Sequence, residues 1–174
     1  MSHRNARLTV FGRRLLVERV RSGRQVAHVD SAVDDHSRLA YSEIHPDERV
    51  ATCAAFLENA AAFFRSHGIK RIERVLTDNA WAYRKGLAWK AVLADLGASG
   101  KLTRPYRPQT NGKVERFNRT HLDEWAYLRP YTSNDERTEA LADFLHTYNH
   151  HRCHTALAGK PLISRVNNVA GQYT

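Results

Sequence analysis

Two acidic residues, Asp78 and Glu115, stand at the ends of elements that the sequence spells out, with 36 residues between them. Asp78 follows the apolar run 72–77 directly, in T-D-N. In open α/β sheets, ligands gather at the carboxyl ends of strands, and that is the place such a residue takes. Glu115 falls in N-G-K-V-E-R-F-N-R-T, in the first turn of an expected helix. Each has an ordinary explanation. An Asp after a strand caps the turn that follows, and a Glu at a helix start gains about 0.3–1 kcal/mol from the macrodipole.

Their surroundings add a chemical argument. Lys101, Arg104, Arg107, Lys113, Arg116 and Arg119 crowd residues 101–120 against the single acid Glu115. Two prolines stiffen this stretch, and Gln109, Thr110 and Asn111 offer amide and hydroxyl groups suited to phosphates and base edges. Carboxylates set within so much positive charge suit metal-assisted attack on a phosphodiester. Hard Mg²⁺ or Mn²⁺ takes carboxylate oxygens. The basic side chains would hold the polyanion while two ions about 3.5–4 Å apart activate the nucleophile and steady the leaving oxygen.

Charge and composition agree with a nucleic-acid partner. The chain has 174 residues and a formal net charge of +9, from 27 Lys and Arg against 18 Asp and Glu. The excess is concentrated in two segments, 101–120 and 1–26, the latter holding seven Arg and one Glu. Basic residues packed in this way point to a polyanion, although two solvated basic stretches would look the same. A hydrophobic content of 42% excludes disorder as the whole account. No run approaches the ~18 apolar residues of a membrane span. Two cysteines, Cys53 and Cys153, and no apolar leader core imply a cytoplasmic protein.

The elements that must position these residues follow from periodicity. A β-branched stretch from residue 26 reaches a turn at 34–37, and a second strand follows over 39–44, so an antiparallel hairpin is expected. Phe56, Leu57, Ala60, Phe63 and Phe64 recur at helical steps within 48–66, and Gly68 ends that helix. The run 72–77 reads as a buried parallel strand. Leu87, Val92, Leu93 and Leu96 mark a shorter helix, residues 98–112 a loop, and Val114, Phe117, His121, Trp125 and Leu128 one side of a long helix. Ser133 with Glu136 fits a capping box at the start of the last helix. Strands followed by alternating helix and strand give an α/β fold with a mixed sheet.

The segments A-V-D-D-H-S-R-L-A-Y (32–41), V-L-T-D-N (75–79), T-R-P-Y-R-P-Q-T-N-G-K-V-E-R-F-N-R-T (103–120) and Y-N-H-H-R (148–152) resemble the catalytic core of the D,D,E transposases and retroviral-type integrases. The resemblance covers residues 26–174. It implies a ribonuclease-H-like fold, a five-stranded mixed sheet flanked by helices. It also implies that Asp78 is the second metal-binding Asp and Glu115 the catalytic Glu, with Mg²⁺ or Mn²⁺ as cofactor. DNA, as transposon ends and target, would be the substrate, held by Lys101, Arg104, Arg107, Lys113, Arg116 and Arg119. Assembly into a homo-oligomer follows from the same resemblance.

The sequence departs from that family at its start. Residues 1–25 contain no Asp, and their one acid is Glu18. Asp30, in H-V-D, mimics a first-strand acid but lies only four residues before Asp34. Asp34 and Asp35 are expected to shape the turn and pair with Arg38. Ala80 stands where the family commonly has Gly after T-D-N. The expected organisation is a basic arm or displaced first strand over 1–25, a catalytic core over 26–148 and a C-terminal tail over 149–174, in a truncated or decayed copy. Three readings follow: a metal-dependent polynucleotidyl transferase, a DNA-binding remnant that cannot cut, and a nuclease of the same fold acting on RNA–DNA hybrids.

Other candidates have plainer expectations. H-H-R-C-H (150–154) could offer Zn²⁺ a His and Cys set but is too tightly spaced for four ligands on one ion. Cys53 is expected in the core. Trp81, Trp89 and Trp125 could stack on bases, and aromatic residues at helical spacing more often fill cores.

Overall fold

A computed structural model describes residues 28–103, 112–126 and 128–166. The expected arm over 1–25 lies outside these residues, as do Arg104 and Arg107.

Strand β1 (His28–Val33) and strand β2 (Ala40–His45) form the expected antiparallel hairpin, with Val33 opposite Ala40 and His28 opposite His45. Asp34 shapes its turn: the Ser37 N–H and hydroxyl both donate to Asp34 Oδ2 at 2.6 Å. Arg38 takes a left-handed backbone at φ 69°, which lets the chain reverse. The Arg38 charge acts on the Asp35 carboxyl, but Lys113 is its hydrogen-bonded partner. This pair joins the hairpin turn to Lys113, 78 residues further along the chain.

Helix α1 (Val50–Ser66) buries two sides. Cys53, Ala54 and Leu57 pack with Trp89, Val92, Leu93 and Val75, so Cys53 is a core residue. Phe56, Ala60 and Phe64 pack with Leu39, Ala32, Tyr41 and Ile72. The helix thus covers both the hairpin and the strand pair that follows. Gly68, at φ +94°, takes the left-handed position that ends it, and the Ile69 N–H closes on Phe64 O at 2.9 Å.

Strand β3 (Arg74–Thr77) precedes two short helices, α2 (Trp81–Lys85) and α3 (Leu87–Asp95). Gly86 joins the helices where a Cβ would meet Ala82 O at 2.3 Å, so no larger residue fits there without a backbone shift. The sequence places Leu87 on the buried face, but it is 81% exposed, because the apolar set of α3 is Trp89, Val92 and Leu93. The segment expected to be a loop contains strand β4 (Ser99–Leu102), paired parallel to β3 with Leu76 opposite Lys101. The four residues S-G-K-L carry no strand signal of their own. The β3 backbone supplies it.

Helix α4 (Gly112–His121) continues into a π-helical turn (Leu122–Ala126), which turns Trp125 inward and leaves Leu128 exposed at 66%. Helix α5 (Asn134–His150) starts as expected: the Glu136 N–H donates to Ser133 Oγ at 3.0 Å. The Glu136 carboxylate does not complete the box on Ser133 but accepts from the Thr132 N–H and hydroxyl, both at 2.7 Å. Beyond α5, a short 3-10 turn (Thr155–Leu157) and helix α6 (Ile163–Val166) fold back. The expected C-terminal tail therefore contributes Leu162 and Val166 to the core. Among the described residues the strands form two two-stranded sheets, β1–β2 antiparallel and β3–β4 parallel. No described helix is long and apolar enough to cross a membrane.

Candidate active site

The carboxyl ends of β3 and β4 are stitched together at Asp78. The Thr103 N–H donates to Thr77 O at 2.8 Å, and Asn79 Nδ2 donates to Thr103 O at 2.9 Å. Asp78 is exposed between them, and its Oδ1 accepts the Ala80 N–H at 2.8 Å. Its other carboxylate oxygen has no hydrogen bond among the described residues. The carboxylate thus caps the turn through one oxygen while the side chain stays open to solvent. The chain leaves this junction at Thr103 and re-enters described structure at Gly112, where α4 begins.

Helix α4 is anchored by its apolar side. Phe117 is fully buried among Ala40, Tyr148 and Leu162. His121 stacks on both Phe117 and Trp125, at ring separations of 5.6 and 4.5 Å. A buried phenyl group of this size stabilises by about 1.5–3 kcal/mol, enough to fix which way the helix faces. At 100° per residue, Glu115 and Arg119 then fall on the opposite face and Arg116 on its flank, and all three are exposed. Lys113 lies at the boundary. Its Nζ donates to the Asp35 backbone O at 2.8 Å and pairs with the Asp35 carboxylate, which lowers the pKa of that carboxyl. This bridge ties the start of α4 to the hairpin turn. Lys101 is exposed on β4, opposite Leu76.

Two residues join this region that sequence reasoning undervalued or missed. Tyr83, on α2 one turn beyond Asp78, is pushed far up in pKa by burial first, and then by Asp30, Cys53 and Asp78. Asp30 and Asp78 therefore both act on one phenol. Asp30 lies opposite Glu43, and its Oδ2 is buried without a hydrogen bond, 3.9 Å from His45 Nε2. Burial raises the pKa of its carboxyl, and the His45 charge only partly opposes that. The signal for Tyr83 was its spacing of five residues from Asp78, within A-W-A-Y-R.

Trp89 and Trp125 are core residues, whereas Trp81 is 70% exposed three residues after Asp78. Cys153 is exposed and free.

Family models for an integrase core domain match residues 16–108, more than half of the chain, and residues 96–161. The chain belongs to the integrase core domain family. Solved structures share the fold of this integrase core. One is a simian T-cell lymphotropic virus intasome in complex with PP2A regulatory subunit B56 gamma, at 20% identity and a TM-score of 0.65. It is covered over 85% of this chain but only 50% of that one, so this chain spans half of that protein. The catalytic core domain of BIV integrase matches at 20% identity and a TM-score of 0.59, over 79% of this chain and 84% of that one. The HTLV-2 integrase catalytic core, solved with magnesium in a trimeric form, matches at 16% identity and 0.61, over 80% and 84%. The fold is therefore α/β of the ribonuclease-H-like class, as the sequence implied.

The described donors suit a hard cation. Asp78 and Glu115 are solvent-exposed carboxylates, and Mg²⁺ is commonly held by one or two carboxylates together with water and substrate phosphate. Among the described residues no group of three or more His, Cys, Asp or Glu side chains could hold a metal. The fit is to an incomplete carboxylate set.

Proposed function

We propose that this integrase core serves DNA strand transfer as the core of a transposase or integrase, binding DNA and a divalent cation. One observation carries the reading: Asp78, at the end of β3, is hydrogen-bonded into the junction from which the basic segment departs toward Glu115 in the first turn of α4. Asp78 and Glu115 are the metal carboxylates, and Mg²⁺ or Mn²⁺ would supply Lewis-acid stabilisation of the attacked phosphodiester. Lys101, Arg104, Arg107, Arg116 and Arg119 hold the DNA backbone. Lys113 contributes less charge to DNA, because Asp35 already neutralises it. The core extends over 26–148, with 1–25 as a basic arm or displaced first strand and 149–174 as a C-terminal segment. Assembly on paired DNA ends accords with the intasome and the trimeric core among its structural relatives.

A second reading, DNA binding without cutting, is favoured by Asp30. This acid is turned toward His45 and Glu43, and burial disfavours its ionised form. The test is binding of linear duplex DNA with and without Mn²⁺, by the chain and by its Asp78→Asn and Glu115→Gln variants, and binding that Mn²⁺ strengthens and these variants weaken supports the first reading. Retention of DNA that requires neither Asp78 nor Glu115, with no metal dependence of any kind, would support the second reading alone. Absence of DNA binding would remove both.

A further inference from the structure

The last turn of α5 collects histidines that the DNA reading does not use. His146 and His150 are one turn apart and stack at 4.8 Å between ring centroids. His151 caps the helix, and its N–H donates to Thr147 O at 3.0 Å, which draws it back over the preceding turn. Its Nε2 therefore comes to 3.1 Å from His146 Nε2. His67, at the end of α1, lies across from this group at 5.8 Å from the His150 ring. Its Nδ1 is 2.8 Å from Phe63 O.

We infer that His146 and His151 form a two-histidine clip for a borderline divalent transition metal such as Zn²⁺, distinct from the carboxylate site. Two imidazole nitrogens bound to one Zn²⁺ at about 2.0–2.1 Å, with an angle between right and tetrahedral, are roughly 2.8–3.4 Å apart. The observed nitrogen separation falls in that interval. In the metal-free chain the same geometry is an N–H···N hydrogen bond, which only a neutral acceptor ring allows. Both side chains are exposed, so water completes the coordination shell. No third His, Cys, Asp or Glu among the described residues joins them on one ion. Imidazole donors favour Zn²⁺, Ni²⁺ and Cu²⁺ over Mg²⁺, whereas carboxylates favour Mg²⁺ and Mn²⁺. The two sites therefore separate by metal. A bound ion would fasten the end of α5, two residues beyond Tyr148 in the core.

The experiment is calorimetric titration of the untagged full chain with zinc chloride in saturating Mg²⁺, repeated for His146→Ala, His151→Gln, Cys153→Ser and His154→Ala. The expected result is one Zn²⁺ per chain, weakened about tenfold or more by His146→Ala and by His151→Gln and unchanged by the other two. Thermal unfolding should show a zinc-dependent rise in Tm that the His146 and His151 variants lose. If the Cys153 or His154 variant abolishes binding, or if none of the four weakens it, the clip is wrong. Both clip residues are exposed, and long-range ¹H–¹⁵N correlation of the imidazoles gives a second readout. A zinc-induced shift of Nε2 at positions 146 and 151 is expected, and its absence overturns the assignment. Failure of Mg²⁺ or DNA binding would leave this result untouched.

Discussion

Asn149 grips Ala40 at both of its backbone groups across 109 residues of sequence. The Ala40 N–H donates to Asn149 Oδ1 at 2.9 Å, and Asn149 Nδ2 donates to Ala40 O at 2.8 Å. The side-chain amide thus acts toward β2 as a neighbouring strand would. Both residues are buried, so neither pair of groups has water as an alternative. Asn149→Ala leaves one donor and one acceptor unsatisfied and should cost about 2–4 kcal/mol. Asn149→Leu should be no better, because shape is not what is lost. Urea unfolding monitored by circular dichroism checks this.

His121 makes stability depend on pH. Burial, then Arg137, lowers its pKa from 6.5 to about 4. The unfolded chain therefore takes up a proton at this residue below pH 6.5 that the folded chain refuses until near pH 4. Stability falls as pH drops through that window and is restored as pH rises. The size is at most about 3 kcal/mol. His121→Phe keeps the stack between Phe117 and Trp125 and removes the titration. Its stability curve should be flatter than that of the parent between pH 4 and 6.5. The difference between the two proteins isolates His121 from His150 and His154, whose pKa values are also lowered. Equal slopes in urea titrations across this range would refute the assignment.

Much of this arrangement was legible in the sequence where the signal is local. Five apolar residues at helical steps specify α1, and the polar turn after a β-branched run specifies the hairpin. Asp78 was placed by its position after a strand, Glu115 by the helix that Gly112 opens. Non-local features were hidden. Strand β4 has Gly100 and Lys101 at its centre and exists because β3 offers a parallel edge. Leu162 and Val166 lie with Ile163 in a short stretch that no regular period marks, and become core only when it folds back. The approach of Asp30 and Asp78 to Tyr83 depends on how three separate elements pack, which no spacing encodes.

The basic face of α4 should make DNA affinity steeply dependent on salt. With about five phosphate contacts, log K against log salt falls with a slope of roughly −4 to −5. Replacing Arg116 and Arg119 together with Ala should flatten that slope by about 2 and weaken binding to all sequences alike. Both side chains are exposed, so unfolding stability should move by no more than about 0.5 kcal/mol. Fluorescence anisotropy over a salt series measures the slope, and a salt-independent affinity would refute phosphate contacts.

Asp78→Asn separates the two roles of that side chain. The amide oxygen still accepts the Ala80 N–H, so the turn and the fold should persist. The negative charge is lost, and with it the hard donor. Mn²⁺ affinity, measured by calorimetry or by paramagnetic relaxation of water, should fall about tenfold or more, and Glu115→Gln should act alike. The double variant should lose less than the sum of the two, since both would serve one metal centre. Fully additive effects would place the two carboxylates at separate sites.

Strand nicking by this chain alone should stay at or near background in Mn²⁺. Two-ion catalysis needs a carboxylate shared between the ions, and among the described residues Asp30, which acts with Asp78 on Tyr83, is the candidate. Its environment argues against that role. Burial disfavours its ionised form, Glu43 lies directly opposite, and its Oδ2 is turned to within 3.9 Å of His45. To reach a metal beside Asp78 it would have to leave this setting and ionise. Each tenfold loss of rate corresponds to 1.36 kcal/mol of transition-state stabilisation, so a missing bridging ligand need withhold only a few kcal/mol to leave no measurable turnover. The measurement is nicking of linear DNA by the chain and by Asp30→Ala, with Asp78→Asn as the blank. The expected outcome is three indistinguishable traces. Robust cutting that Asp30→Ala abolishes would make Asp30 a ligand after all, and cutting that survives Asp30→Ala but not Asp78→Asn would require the third carboxylate to come from another acid.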